Sequence, residues 1–152
     1  MGQQLSLAFS DEFPAGGNPN GDRGRDNYKQ HASVRKKEYF IPADDHPMRE
    51  RLQEGLKEAP DCKELQEEKA VIEVVVVYPV INKITVARAC RASNHVKLLA
   101  GYDYIIEVSG EIWDVLNDKV RRILMEHECS HLLVDYDRHG NARFRLRDHD
   151  IK

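Results

Sequence analysis

Tyr104-Ile105-Ile106-Glu107-Val108-Ser109 leads through Ile112, Leu116, Val120, Ile123 and Leu124 to His127-Glu128-Cys129-Ser130-His131. The β-branched opening, introduced by the turn-like Ala100-Gly101, reads as a strand. Ser109 then stands where a helix N-cap belongs, with Glu111 in the first turn to complement the helix dipole. The apolar positions recur at three- and four-residue spacings, which predicts one long helix. A step of four from Ile123 lands on His127 and then on His131. Both imidazoles are therefore expected on the core-facing edge, where two polar rings need a partner.

An ion supplies that partner. Residues four apart on a helix lie one turn above each other, so His127 and His131 can reach one metal. Glu128 then lies beside the metal, placed to take a proton from an attacking water and return it to a leaving amine. Zinc suits neutral imidazoles and makes a water nucleophilic near neutral pH.

A catalytic zinc takes three protein ligands and keeps one position open. The candidates for the third are Asp135, Asp137, His139 and His149. Asp137 has the spacing of an extended HExxHxxGxxH motif, but Val134 stands where that motif needs a turn-forming Gly. His139 would need a tight reversal beside Gly140. His149 follows a plausible hairpin and is flanked by Asp148 and Asp150, carboxylates able to orient a ligand ring. His149 is the favoured ligand.

Upstream the pattern changes twice. Val71 to Tyr78 is nearly continuous in β-branched residues, as in a strand buried on both faces. Ile84 to Arg91 alternates, as in a strand with one wet side. Before them, Asp45 is placed to cap a helix carrying Pro47, Met48, Leu52 and Leu56. Asp61 with Glu64 resembles a capping box for a second helical segment, 62 to 69. Downstream, Phe144 and Leu146 alternate with Arg143, Arg145 and Arg147 as a brief strand. These elements give an α+β domain over residues 46–152, a small mixed sheet packed on a long active-site helix.

Residues 1–45 differ. Pro14 to Asp22 concentrates Gly, Pro and Asn, and Arg23, Arg25, Lys29 and Arg35 to Lys37 follow, so this stretch reads as a flexible, solvated arm. Its charge would allow contact with nucleic acid, without indicating it. The whole chain of 152 residues is 41% apolar and 32% charged, with a mean hydropathy of −0.63. The 23 basic residues nearly balance the 26 acidic ones, for a net charge of −3. That composition supports one core and no global attraction to nucleic acid or membranes. No apolar run is long enough to span a bilayer. Gly2 with Ser6 fits only a loose myristoylation pattern. The basic start of a secretory signal is missing, and Cys62, Cys90 and Cys129 show no CxxC spacing. Reduced thiols and a cytoplasmic setting are expected. Cys129 points away from the histidine face and reads as packing, and Trp113 as a core anchor.

Gly101 to Val108, Trp113-Asp114, the HExxH and the late His149-Asp150 together resemble the phage metallopeptidase family, small zincin-like proteins mostly from phages and prophages. The likeness covers roughly residues 70 to 152. Departures from the family pattern, Cys129 after the Glu and Leu132 after the second His, leave ligands and base unaltered. The resemblance implies a minimal zincin-like fold, a metal and a peptide or protein substrate. In zincins the strand before the helix forms an edge for an extended peptide, which would give that role to Tyr104–Val108 or a neighbouring strand.

Two other readings compete with a zinc-dependent metallopeptidase. In one, the zinc is a structural staple and the protein acts by binding a host protein. In the other, His127, His131 and His139 loosely match the three-histidine motif of YbeY-type endoribonucleases, with the last spacing too long.

Overall fold

The β-branched run upstream of the motif forms the centre of the sheet. In the computed structural model, which describes residues 36–148, β2 (Ile72–Tyr78) lies parallel to β4 (Tyr104–Ser109). Val74, Val76, Tyr104, Ile106 and Val108 are buried between them and the helices. β1 (Glu38–Phe40) and β3 (Ala87–Arg91) add antiparallel at the two edges, giving the order β1-β2-β4-β3. The fold is α+β with a small mixed sheet, as expected. Residues 1–35 of the expected arm lie outside the described residues. The sheet itself reaches back into that segment, because Phe40 pairs with Val76 and stacks on Tyr78 at 5.4 Å. A strand of three residues is too short to show alternation in sequence.

The long active-site helix is instead two helices, α4 (Gly110–Val115) and α5 (Asp118–Cys129). Leu116 and Asn117 between them are extended, and the Asn117 side chain caps α5 by accepting from the Val120 amide at 2.9 Å. Arg121 pins the corner by donating to the carbonyls of Trp113 and Asp114 at 3.0 and 3.2 Å. An Asn with a following Asp makes a stronger start signal than the apolar spacing that runs through it. Ser109 is the N-cap of α4 by position, but its side chain makes no capping hydrogen bond. Its buried hydroxyl accepts from Ile81 N–H at 2.9 Å and donates to Thr85 C=O at 2.6 Å, tying down the loop before β3.

α1 (Pro47–Glu58) packs along α5 and buries Met48 and Leu52. Its cap is His46, whose Nδ1 accepts from Met48 N–H at 3.1 Å, and not Asp45. The two helices approach closely at Gly55, where a Cβ would meet Cys129 Sγ and the Met125 carbonyl oxygen at 3.0 Å. α2 (Cys62–Glu67) follows. α3 (Asn94–Ala100), not anticipated, buries none of its residues and closes on Gly101 at φ 80. A hairpin of β5 (Leu132–Tyr136) and β6 (Ala142–Leu146) ends the described chain. It is fastened to the sheet by Tyr104, whose hydroxyl donates to the carbonyls of Leu133 (2.6 Å) and Arg145 (3.0 Å). No helix among the described residues is long and apolar enough to cross a membrane, and no cysteine is in a disulfide.

Candidate metal centre

His127 stands in the last turn of α5, and His131 lies just past the helix at the foot of the hairpin. The chain turns there through Ser130 N–H to Glu126 C=O (3.0 Å) and His131 N–H to Glu128 C=O (3.1 Å). It then pairs at once, with Arg147 N–H donating to His131 C=O at 2.6 Å. His131 Nδ1 meets the Arg147 carbonyl oxygen at 2.7 Å. A carbonyl only accepts, so Nδ1 carries the proton in the neutral ring and Nε2 presents a lone pair. That Nε2 lies 3.3 Å from Nε2 of His127, the two rings at 87°. Glu128 completes a group whose ligand atoms all lie within 4.8 Å of one another.

Glu128 is 6% exposed. Burial pushes its carboxyl above the ordinary range, while positive charge on His131 and the Ala89 amide pull the other way. A carboxylate raised in this manner is a better proton acceptor near neutrality.

The three residues open into a cleft of about 520 Å³, also lined by Ile84 to Ala89, Leu124, Leu146 and Asp148. The histidines thus face this cleft and not the core. Met125 and Cys129, one turn apart, form the core face of α5. Val120 and Ile123, expected in the core, are 40% and 55% exposed.

β4 is internal to the sheet, so it offers no edge; the edge strand is its neighbour β3. Ser109 N–H bonds Val86 C=O and Ala92 N–H bonds Asp103 C=O. In an antiparallel ladder this alternation turns the N–H and C=O of Ala87, Ala89 and Arg91 outward, to the open side. The Ala89 amide already meets Glu128 there.

Support for the ligands comes from far along the chain. Asp61 stands at the N-cap of α2, but its side chain makes no capping hydrogen bond. Its carboxylate accepts from Val134 N–H at 2.9 Å and from the Arg147 guanidinium at 3.1 Å. The same guanidinium donates to Ser130 C=O at 2.8 Å, and the Ser130 hydroxyl to His127 C=O at 2.5 Å. Arg147 therefore clamps the end of α5 while its own carbonyl aims His131. The contacts of Asp61 span 73 and 86 residues, so no local spacing could disclose them.

Of the third-ligand candidates, Asp137 is engaged by the amides of His139 and Asn141 at 2.8 and 2.9 Å in the hairpin turn. Asp135 holds Arg143 and Arg145 at 3.0 and 3.1 Å, and His139 is exposed. None of the three lines the cleft. His149 lies outside the described residues. Trp113 is buried as a core anchor, with the Arg121 guanidinium 5.5 Å above its ring. Cys129 is fully buried and its thiol is pushed up to about 12, which makes it a packing residue.

A mixed sheet with an antiparallel edge strand, beside a His-Glu-His cluster whose atoms could hold a metal ion, makes this an α+β protein with a candidate metal site. The chain belongs to the family described as "Putative phage metallopeptidase", whose model matches residues 39–152. No curated protein and no solved structure matches it.

Proposed function

We propose that the protein is a zinc-dependent metallopeptidase in which His127, His131 and His149 hold the metal and Glu128 is the general base and acid. The observation that carries this reading is the pair of Nε2 atoms 3.3 Å apart at the mouth of an open cleft. Two nitrogens bound tetrahedrally at about 2.0–2.1 Å from one zinc stand about 3.3 Å apart. His149 is supported by connectivity. Asp148, the residue before it in the chain, lines the cleft.

Bound zinc supplies positive charge that acidifies a water and polarises the scissile carbonyl. Glu128, protected from solvent, accepts the proton of the attacking water and passes it to the leaving amine. The Ala89 amide holds the carboxylate on the cleft side. The outward backbone groups of Ala87 and Arg91, with the Ala89 carbonyl, pair with an extended peptide, which fixes the scissile bond over Glu128. Peptide or protein is accordingly the substrate class, and the setting is the host cytoplasm.

The test is zinc stoichiometry together with hydrolysis. One zinc per chain is expected, with Glu128→Gln keeping the metal and losing peptide cleavage by about a hundredfold or more. A protein that retains no zinc after dialysis, or a Glu128→Gln variant that cleaves normally, overturns the proposal.

A further inference from the structure

A second cavity, of about 470 Å³, lies next along the same two strands. The metal cleft borders residues 84–89 and 146–148, and the second cavity borders Arg91, Ala92 and residues 142–145. Its floor includes Phe144, over which Lys97 Nζ stands at 5.3 Å. Four cations line it, Arg91, Lys97, Arg143 and Arg145, against one carboxylate, Asp103.

Three of these cations already have carboxylate partners. Lys97 pairs with buried Asp103 at 2.8 Å, and Arg143 and Arg145 share Asp135. Arg91 is exposed and makes no ion pair among the described residues. Its position on β3 decides where it points. Arg91 pairs across from Tyr104, as Ala89 does from Ile106, so its side chain leaves the sheet on the face that carries the hairpin and Glu128. It lies two residues beyond Ala89, about 7 Å along the strand. A peptide paired with the outward edge of β3 would set a side chain of like spacing beside this guanidinium.

We propose that this cavity is a subsite for an acidic side chain, Asp or Glu, two residues from the position opposite Ala89, with Arg91 as its specificity-determining residue. The inference rests on the peptidase reading and names the peptides that site prefers. A guanidinium with no ion pair among the described residues gains a charge-assisted, two-point contact with a carboxylate. A lysine in the substrate would meet like charge there.

Fluorescein-labelled, C-terminally amidated peptides carrying a single Glu, or Lys in its place, are titrated at low salt onto the Glu128→Gln protein with and without zinc. The Glu peptide is expected to bind about tenfold more tightly than its Lys counterpart. Arg91→Gln erases the difference, and Arg91→Glu reverses it. Equal binding of the two peptides overturns the subsite, as does a preference that neither Arg91 variant changes. A preference that appears only when the C-terminal carboxylate is free overturns the side-chain assignment. So does tight binding of a labelled single-stranded RNA oligonucleotide that Arg91→Glu abolishes while the peptides stay equivalent. Failure of the wild type to hold zinc or cleave peptide sinks the peptidase reading instead, and the charge preference is still read by binding alone.

Discussion

The two faces of α5 have opposite tasks. On one, Met125 and Cys129 are within 1% of complete burial and press against α1 at Gly55, with no spare volume. On the other, Ile123 and His127 are exposed beside an open cleft, with Ile84, 89% exposed, lining the far wall. Packing is concentrated on the first face and the proposed chemistry on the second, although a single helical turn carries residues of both. The difference teaches that an apolar stripe ending in two histidines can lie on the outer side of a helix, where only Leu124 and the histidines reach the cleft.

Substitutions on the two faces are expected to separate the two tasks. His131→Ala removes a ligand and lowers zinc affinity by more than the roughly 10–100-fold of an outer-shell loss, with little change in the Tm of the metal-free protein. Met125→Ala does the reverse, costing about 2–5 kcal/mol in urea unfolding while the folded fraction keeps its metal. Calorimetric zinc titration beside denaturation curves checks both. Equal effects of the two variants on both readouts would erase the distinction between the faces.

The clamp behind the cleft ranks next. Asp61→Ala leaves the Arg147 guanidinium without its carboxylate and Val134 N–H without an acceptor. Zinc affinity is expected to fall about tenfold through misplacement of His131. An unchanged affinity would show that the Arg147 carbonyl holds the ring unaided.

Glu128 provides a case where function costs stability. Its folded pKa is raised by burial, so the folded metal-free protein holds the proton more tightly than the unfolded chain does. The carboxyl is harmless when protonated, at pH below the unfolded value, and destabilises as pH rises through the folded value. Glu128→Gln is therefore expected to raise the Tm of EDTA-treated protein at neutral pH, and the gain vanishes in acid. A gain that is instead largest in acid would reverse the assigned direction of the shift.

Ile123→Ser is the smallest effect. The side chain is 55% exposed, so stability changes by no more than about 0.5 kcal/mol. The KM for peptide is expected to stay unchanged, because Ile123 does not line the cleft; a large loss of Tm would return it to the core.

Much of this organisation is legible in sequence where burial and local period agree. β2 and β4 declare themselves because one face of each is deeply buried and the other, read in the sequence as fully buried, is half-buried, so nearly every residue is still apolar. The histidine pair follows from helical spacing alone. Other features escaped for identifiable reasons. α3 buries nothing, so no apolar period marks it, and only Ser93 before it and Gly101 after it signal a helix. The break at Leu116-Asn117 hides inside a spacing that continues across it in the linear chain. β5 begins three residues after α5 ends, so Leu132 and Val134 read equally as another helical turn. The edge role of β3 depends on strand order, and the reach of Asp61 to Val134 and Arg147 on tertiary contact. Neither has a local signature.

The central claim is that one ion joins His127 and His131 across the cleft with Glu128 beside it. Anomalous diffraction at the zinc edge, on crystals of the full chain grown with zinc, tests it most directly. The account predicts a single peak about 2.0–2.1 Å from both Nε2 atoms. A peak elsewhere, or the two rings bonded to each other with no ion between them, would contradict it.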